Sequence, residues 1–240
     1  MVVALAFVAT AVSSLFAQAM LGRFTRTHRP EYRAWALSLA FFALASAALV
    51  TGTSTGWDEG TFRAFFLLGA VVNVPWLALG TVFLLCPART ARRAQWVVAL
   101  FSTFAAGVLV SAPMDPVSGT AIPVGSEVFG ALPRVLAAVG SGVAAVVILV
   151  GALMSAVRFA RDRDTAGHAR LAAANGLIAL GTLVLSSGGL VQGSVGHDEA
   201  FALSLALGVT IIYAGFVLAS GRGRELPKSH GEWSNSSSRP

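Results

Sequence analysis

Arg23-Phe24-Thr25-Arg26-Thr27-His28-Arg29-Pro30-Glu31-Tyr32-Arg33 joins two apolar runs near the N-terminus and holds four arginines against one carboxylate. The runs on either side, Val2 to Leu21 and Ala34 to Gly52, carry no charged residue. As α-helices each would cover about 30 Å, the thickness of the hydrocarbon core of a bilayer. The order of the parts matters. Ala17-Gln18-Ala19 resembles a signal-peptidase site, yet the arginines follow the first run instead of preceding it, the reverse of a cleavable leader. The first run is therefore a retained span.

Working outward, five further runs repeat the pattern: Phe62 to Cys86, Trp96 to Ala112, Val135 to Val157, Leu171 to Val191 and Phe201 to Ser220. Of seventeen Lys and Arg, fifteen fall in the first, third and fifth connections or in the tail, and only Arg63 and Arg134 fall in the other three. Basic residues gather on the cytoplasmic side of membrane helices. The expectation is an all-α bundle of seven transmembrane helices, N-terminus outside and C-terminus in the cytoplasm, in the plasma membrane.

Composition supports this class. Hydrophobic residues make up 55% of the chain and charged residues 12%, about half the charged share of a soluble domain. The net charge of +6 would suggest nucleic acid in a soluble protein. Here fifteen basic and five acidic groups share one side, and two basic and six acidic groups the other. The basicity thus follows topology, and the partner it implies is a bilayer with an anionic inner leaflet. A lone Cys86 leaves no pair for a disulfide within the chain and no thiol cluster for a metal. Residues 1–221 form one membrane domain, and the Ser-rich stretch 222–240 is expected to be a disordered tail.

The connection 113–133 differs from the others in length and content. Pro113, Pro116, Pro123 and Pro133 with Gly119 and Gly125 predict an irregular, stiff segment, either a plain connector or a lid. A faint repeat relates the two halves. Arg23-Phe24-Thr25-Arg26 answers Arg158-Phe159-Ala160-Arg161, Arg33 answers Arg170, and Asp58-Glu59 answers Asp198-Glu199. Units 2–86 and 135–220 would then be parallel copies, with helix 96–112 needed between them so that both face the same way. The competing reading is chance, since any helix leaving the membrane toward the cytoplasm tends to end in Arg.

Asp, Glu, Lys, Arg and His are absent from the middle of every span, where they are the usual marks of proton relays and intramembrane catalysis. The only lysine, Lys228, lies in the tail, so a retinal Schiff base has no place to form. His28, His168, His197 and His230 lie in connections or tail, which removes axial haem ligation within the bundle. His197 beside Asp198 lacks further ligands at metal spacing. No cofactor is expected. Asp58, Glu59, Asp198 and Glu199 are expected as outer-face helix caps, with Glu59 and Arg63 spaced for an ion pair, and an outer cation site or acid/base pair as the alternative.

Within the spans the polar candidates are few. Asn73 sits beside Pro75, whose missing N–H should kink the helix and displace the Val71 carbonyl. Tyr213 lies 140 positions after Asn73, and Thr210 one turn earlier, so the three form a candidate solute site if the repeat holds. Gln18 and Asn175 read as interhelical hydrogen-bond groups. Small residues at fourfold spacing, Ala137-Ser141-Ala145 and Gly151-Ser155 in the fifth run and Thr103-Gly107-Ser111 in the fourth, predict close packing inside the bundle. Trp35, Trp57 and Trp96 fall at span ends, where an aromatic belt is expected.

The three-plus-one-plus-three layout is similar to that of SWEET-type sugar carriers, in which parallel three-helix units rock about a midplane site. The similarity is architectural: the chain has no PQ dipeptide and no matching set of hinge prolines, so it implies no residue roles. Two functions follow from the residues: a carrier or facilitator of a small uncharged solute, or a sensor, scaffold or complex subunit without a transport cycle. An enzyme is disfavoured because the acidic pairs at the outer face are its only candidate groups.

Overall fold

The computed structural model describes residues 1–161, 166–195 and 198–220. Seven long helices organise these residues: α1 Val2–Thr27, α2 Pro30–Thr55, α3 Glu59–Leu85, α4 Ala88–Ser111, α5 Ala131–Arg161, α6 Ala166–Val195 and α7 Asp198–Ser220. Six are long and apolar enough to cross a membrane, the mark of a multi-pass membrane protein; α6 contributes the shorter apolar stretch Gly176–Gly188. No strand occurs among the described residues.

Most helices outrun the apolar segments that announce them. The fourth begins at Ala88, eight residues before Trp96, behind Pro87 at its N-cap. Hydropathy marks where hydrocarbon begins, whereas backbone hydrogen bonding continues through arginines into the headgroup layer. Proline is tolerated in a first helical turn, which is where Pro133 lies in α5. α1 ends on His28 in the left-handed conformation at φ 52°, and α2 ends on Gly56 at φ 98°, a backbone state glycine adopts without strain.

Packing closes a ring. α1 lies between α2 and α7, α2 meets α3, α3 meets α5, α5 meets α6, and α6 meets α7. α4 stays outside it, against α3 and the edge of α5. Small residues make the tightest seam. A Cβ on Gly181 would press on the Gly208 carbonyl, and one on Gly208 on the Gly181 carbonyl, so α6 and α7 cross backbone to backbone. Large apolar side chains face outward, including Phe7, Leu15, Leu100 and Leu153, each at least 60% exposed. A soluble surface with so much contiguous apolar area would aggregate, and lipid is the solvent that suits it.

Two packing expectations need correction. Thr103, Gly107 and Ser111 are exposed, so that face of α4 points away from the bundle, each hydroxyl bonding a carbonyl of its own helix. In α5 the expectation holds at Gly151 and is shifted elsewhere: the buried stripe is Leu136, Gly140, Ala144, Ile148 and Gly151, while Ala137, Ser141 and Ala145 flank it half-buried, Ala137 against the α3–α4 cluster and Ser141 on the Ala70 carbonyl. Trp57 is also no interfacial residue: it is 4% exposed, beneath the 113–133 connection. That connection is a folded cap over one end of the bundle. Met114 pairs with Phe129, Asp115 N–H donates to Val128, and Ile122, Val128 and Phe129 are buried against Ala6, Leu49, Trp57 and Phe62.

Candidate functional site

The irregular centre of α3 is the strongest site candidate. Glu59–Phe65 is α-helical, Phe66–Val72 is a π-helical segment of seven residues, and Asn73–Leu85 is α-helical again. π segments this long are rare, because the wider turn opens backbone hydrogen bonds and loses contact across the helix axis. Pro75 explains part of it. In π register its nitrogen would face the Ala70 carbonyl, and proline has no hydrogen to give. Ser141 of α5 supplies the donor instead, its hydroxyl bonding to Ala70 O. A Cβ on the adjoining Gly140 would lie 3.1 Å from Val71 O, so glycine there lets α5 approach the freed carbonyls.

A second hydroxyl clamps the other side. Ser38 of α2, 1% exposed, lies 3.0 Å from the Asn73 backbone carbonyl and 2.7 Å from Asn73 Oδ1. Irregular backbone survives at membrane depth only where neighbours satisfy its freed groups; Ser141 does so at Ala70, while Ser38 shares its one hydroxyl hydrogen between the two oxygens of Asn73. Asn73 itself is 8% exposed. Its carboxamide oxygen is engaged by Ser38, while its Nδ2 has no hydrogen-bond acceptor among the described residues. On α2, the Ser46 hydroxyl is buried without a hydrogen-bond partner. Trp76, next to Pro75, donates from its indole to Ser102 of α4 at 3.1 Å and so ties the outer helix to this turn.

The other candidates do not converge on Asn73 through described contacts. Tyr213 packs its ring 5.2 Å from Phe16, in a cluster with Met20, Ala36 and Leu39. Thr210 is exposed and donates to Ala206 O of its own helix. Gln18 is exposed. The side chain of Asn175 lies outside the described residues, as do those of Arg158, Arg161 and Arg163, His168, His197 and the tail 221–240. Ser38 and Ser141 were missed as site residues because a serine among alanines looks like packing. The signal was present in Pro75, which obliges some neighbour to bring a donor.

The acidic pairs occupy the capped end. Asp58 accepts from Thr61 N at 2.9 Å and from its hydroxyl at 2.5 Å, and these bonds, hydroxyl first, hold its carboxyl below the ordinary range. Glu59 is 65% exposed and pairs with Arg63 at 2.6 Å. Arg63 also donates to Leu109 O and Ala112 O, closing the C-terminus of α4. Asp198 receives the Ile122 N–H at 2.9 Å, which fastens the cap to the start of α7; Glu199 is exposed. At the arginine-rich end Glu31 is buried, 2.6 Å from Arg29 Nη2, an ion pair by distance although its geometry is not that of a hydrogen bond. Among the described residues no three His, Cys, Asp or Glu side chains converge on one point. No family description, characterised protein or solved structure matches the chain.

Proposed function

We propose that the chain is a seven-helix carrier or facilitator of a small uncharged solute in the plasma membrane, its N-terminus outside and its arginine-rich end in the cytoplasm. The observation that carries this reading is the Asn73 side chain near the middle of a membrane-length helix, its Oδ1 held by Ser38 and its Nδ2 without an acceptor among the described residues, in spans whose central parts hold no Asp, Glu, Lys, Arg or His. Such a group offers hydrogen bonds to hydroxyl, carbonyl or amide solutes and nothing to stabilise an ion. The ring order favours two rocking three-helix units. Exchanging α1 with α5, α2 with α6 and α3 with α7 converts each neighbour pair of the ring into another neighbour pair, as a parallel duplication requires. α4 then stands outside as the linker.

Reconstituted into vesicles, the protein should speed the efflux of at least one solute from a neutral panel of polyols, sugars and amides. Asn73→Ala should abolish that flux with insertion intact, and unchanged flux would remove the assigned site. A reporter fused behind Pro240 should signal in the cytoplasm; a signal only on the far side would overturn the orientation. A sensor or subunit role has one observation in its favour, the outward face of α4 at Thr103, Gly107 and Ser111, which no helix of the bundle covers. A partner retained at fixed stoichiometry through purification, with no flux in vesicles, would select it.

A further inference from the structure

Where α2 begins and α3 hands over to α4, the bundle opens into a cleft of about 450 Å³. Arg33 of α2 and Arg92 of α4, both exposed, line it together with Gln95, Cys86 and Phe83. No carboxylate borders this space, and neither arginine has an ion pair among the described residues. Among the described residues the only hydrogen bond of Arg33 is a long one, 3.4 Å, to Gln95 Oε1. Two guanidiniums brought to one small space repel each other unless an anion sits between them, and their planar forks match phosphate oxygens.

The start of α4 adds to the same field. Its N-cap is Pro87, which gives no side-chain cap, and its first turn contains no acid. Arg89, Arg92 and Arg93 occupy this end instead, so positive side chains sit on the positive pole of the helix. That placement opposes the helix dipole, and an anion bound in the cleft would offset it. The surroundings say what kind of anion. Leu84, Leu85 and Trp96 are exposed beside the cleft, with Trp96 at 67%, the profile of a lipid-facing interface.

We propose that the α2–α4 cleft binds a phosphate ester through Arg33 and Arg92, with Gln95 as a further donor, and that its source is the headgroup of an anionic phospholipid. The acyl chains would lie along Phe83 and Leu84. This goes beyond a general attraction of basic residues to the leaflet, because it names one cleft and one stoichiometric ligand, and it holds whether or not the protein carries a solute.

Cys86, the only cysteine of the chain, borders the cleft and is exposed, so its modification rate reads occupancy without an engineered label. The full chain would be placed in nanodiscs of phosphatidylcholine, with or without phosphatidylglycerol, and treated with an uncharged maleimide. Phosphatidylglycerol should slow labelling about tenfold or more in the wild type, given about 1 kcal/mol for each arginine near the headgroups. Arg26→Gln, an exposed arginine away from the cleft, should keep the effect; R33Q/R92Q should lose it, and R33K/R92K should retain part. Gln95→Glu, which places an anion in the cleft and removes no arginine, should lose it too and serves if the double variant fails to insert. Equal slowing in all variants, or none in the wild type, would overturn the site. Equal protection by inorganic phosphate in phosphatidylcholine discs would overturn the lipid as source and leave a soluble phosphate ester in its place.

Discussion

The two ends of the bundle treat their polar groups in opposite ways. At the acid-bearing end, Arg63 spans Glu59 and the last carbonyls of α4, Asp198 holds the backbone of the cap, Asp58 closes the first turn of α3, and Trp57 lies under Ile122, Val128 and Phe129. At the other end Arg23 lies over the Phe216 ring at 4.6 Å, Arg33 and Arg92 face an open cleft, and Arg26 is exposed. The first end is tied together from within, although the Trp57 indole N–H is buried there without a hydrogen-bond partner. At the other, Arg29 pairs with Glu31 while Arg33 and Arg92 have no carboxylate partner among the described residues, the arrangement on which the proposed lipid counter-charge rests. Self-closure needs intramolecular partners and is felt as stability, whereas charge held outward is felt in the choice of lipid.

The sharpest way to break this contrast is to empty the cap. Trp57→Ala should destabilise the protein by about 3 to 5 kcal/mol, the usual range for removing a buried tryptophan, read as a fall in unfolding temperature in neutral detergent. Gly52→Val should act similarly, because a side chain at Gly52 collides with the Trp57 ring. A loss below about 1 kcal/mol would mean that the cap rests on the bundle without holding it. Next comes Arg63→Ala, which deprives Glu59 and two α4 carbonyls of one donor group; about 2 to 3 kcal/mol is expected. Glu59→Gln should cost less than about 1 kcal/mol, since that carboxylate is exposed and screened. Similar losses in the two would show that the ion pair, and not the tie to α4, matters.

Between the ends, the break in α3 should show a smaller and conditional effect. Ser141→Ala leaves the Ala70 carbonyl without its hydroxyl donor and should cost about 1 to 2 kcal/mol. In a Pro75→Ala background, where the backbone N–H returns, the same substitution should cost measurably less, and the double-mutant cycle isolates that coupling. Additive losses would detach Ser141 from the proline. At the open end, Arg26→Gln should change stability by no more than about 0.5 kcal/mol, and a larger loss there would erase the contrast.

Much of this was legible in the residues. Lipid makes apolar length and arginine placement nearly decisive, so the helices announce themselves, and Asn73 with Pro75 marked where α3 could not stay regular. Other features depended on contacts that no local pattern encodes. The connection 113–133 reads as a proline-rich strap because its burying residues, Ile122, Val128 and Phe129, are few and unperiodic. Trp57 reads as interfacial because its depth is set by that strap. Ser38 and Ser141 lie on different helices from the carbonyls they serve, and only the ring order brings them there. The internal likeness of the two halves shows the same limit: α7 is an α-helix from Asp198 to Ser220, with Gly208 and Gly215 pressed on α6, and has no counterpart of the π segment of α3. If the halves share an origin, their third helices have taken different work, close packing in one and an opened turn in the other.

The smallest expected effect concerns protons at the capped end. Thr61, through its hydroxyl and its backbone N–H, favours the ionised form of Asp58, so the folded-state pKa lies below the unfolded one. A group of this kind contributes its full stabilisation above the unfolded value and loses it as pH falls through the folded value. Acidification from about pH 5 toward pH 2, spanning the ordinary aspartate range, should therefore lower the unfolding temperature of the wild type more steeply than that of Asp58→Asn, which still caps the helix but cannot titrate. Thr61→Val should flatten the wild-type slope in the same window by removing the hydroxyl that does most to favour the ionised carboxylate. Asp58 is fully exposed, so solvent and salt screen the difference, and raising ionic strength should shrink it. Identical slopes in the wild type and Asp58→Asn would assign the acid sensitivity of this end to another group and leave Asp58 a cap whose charge is immaterial.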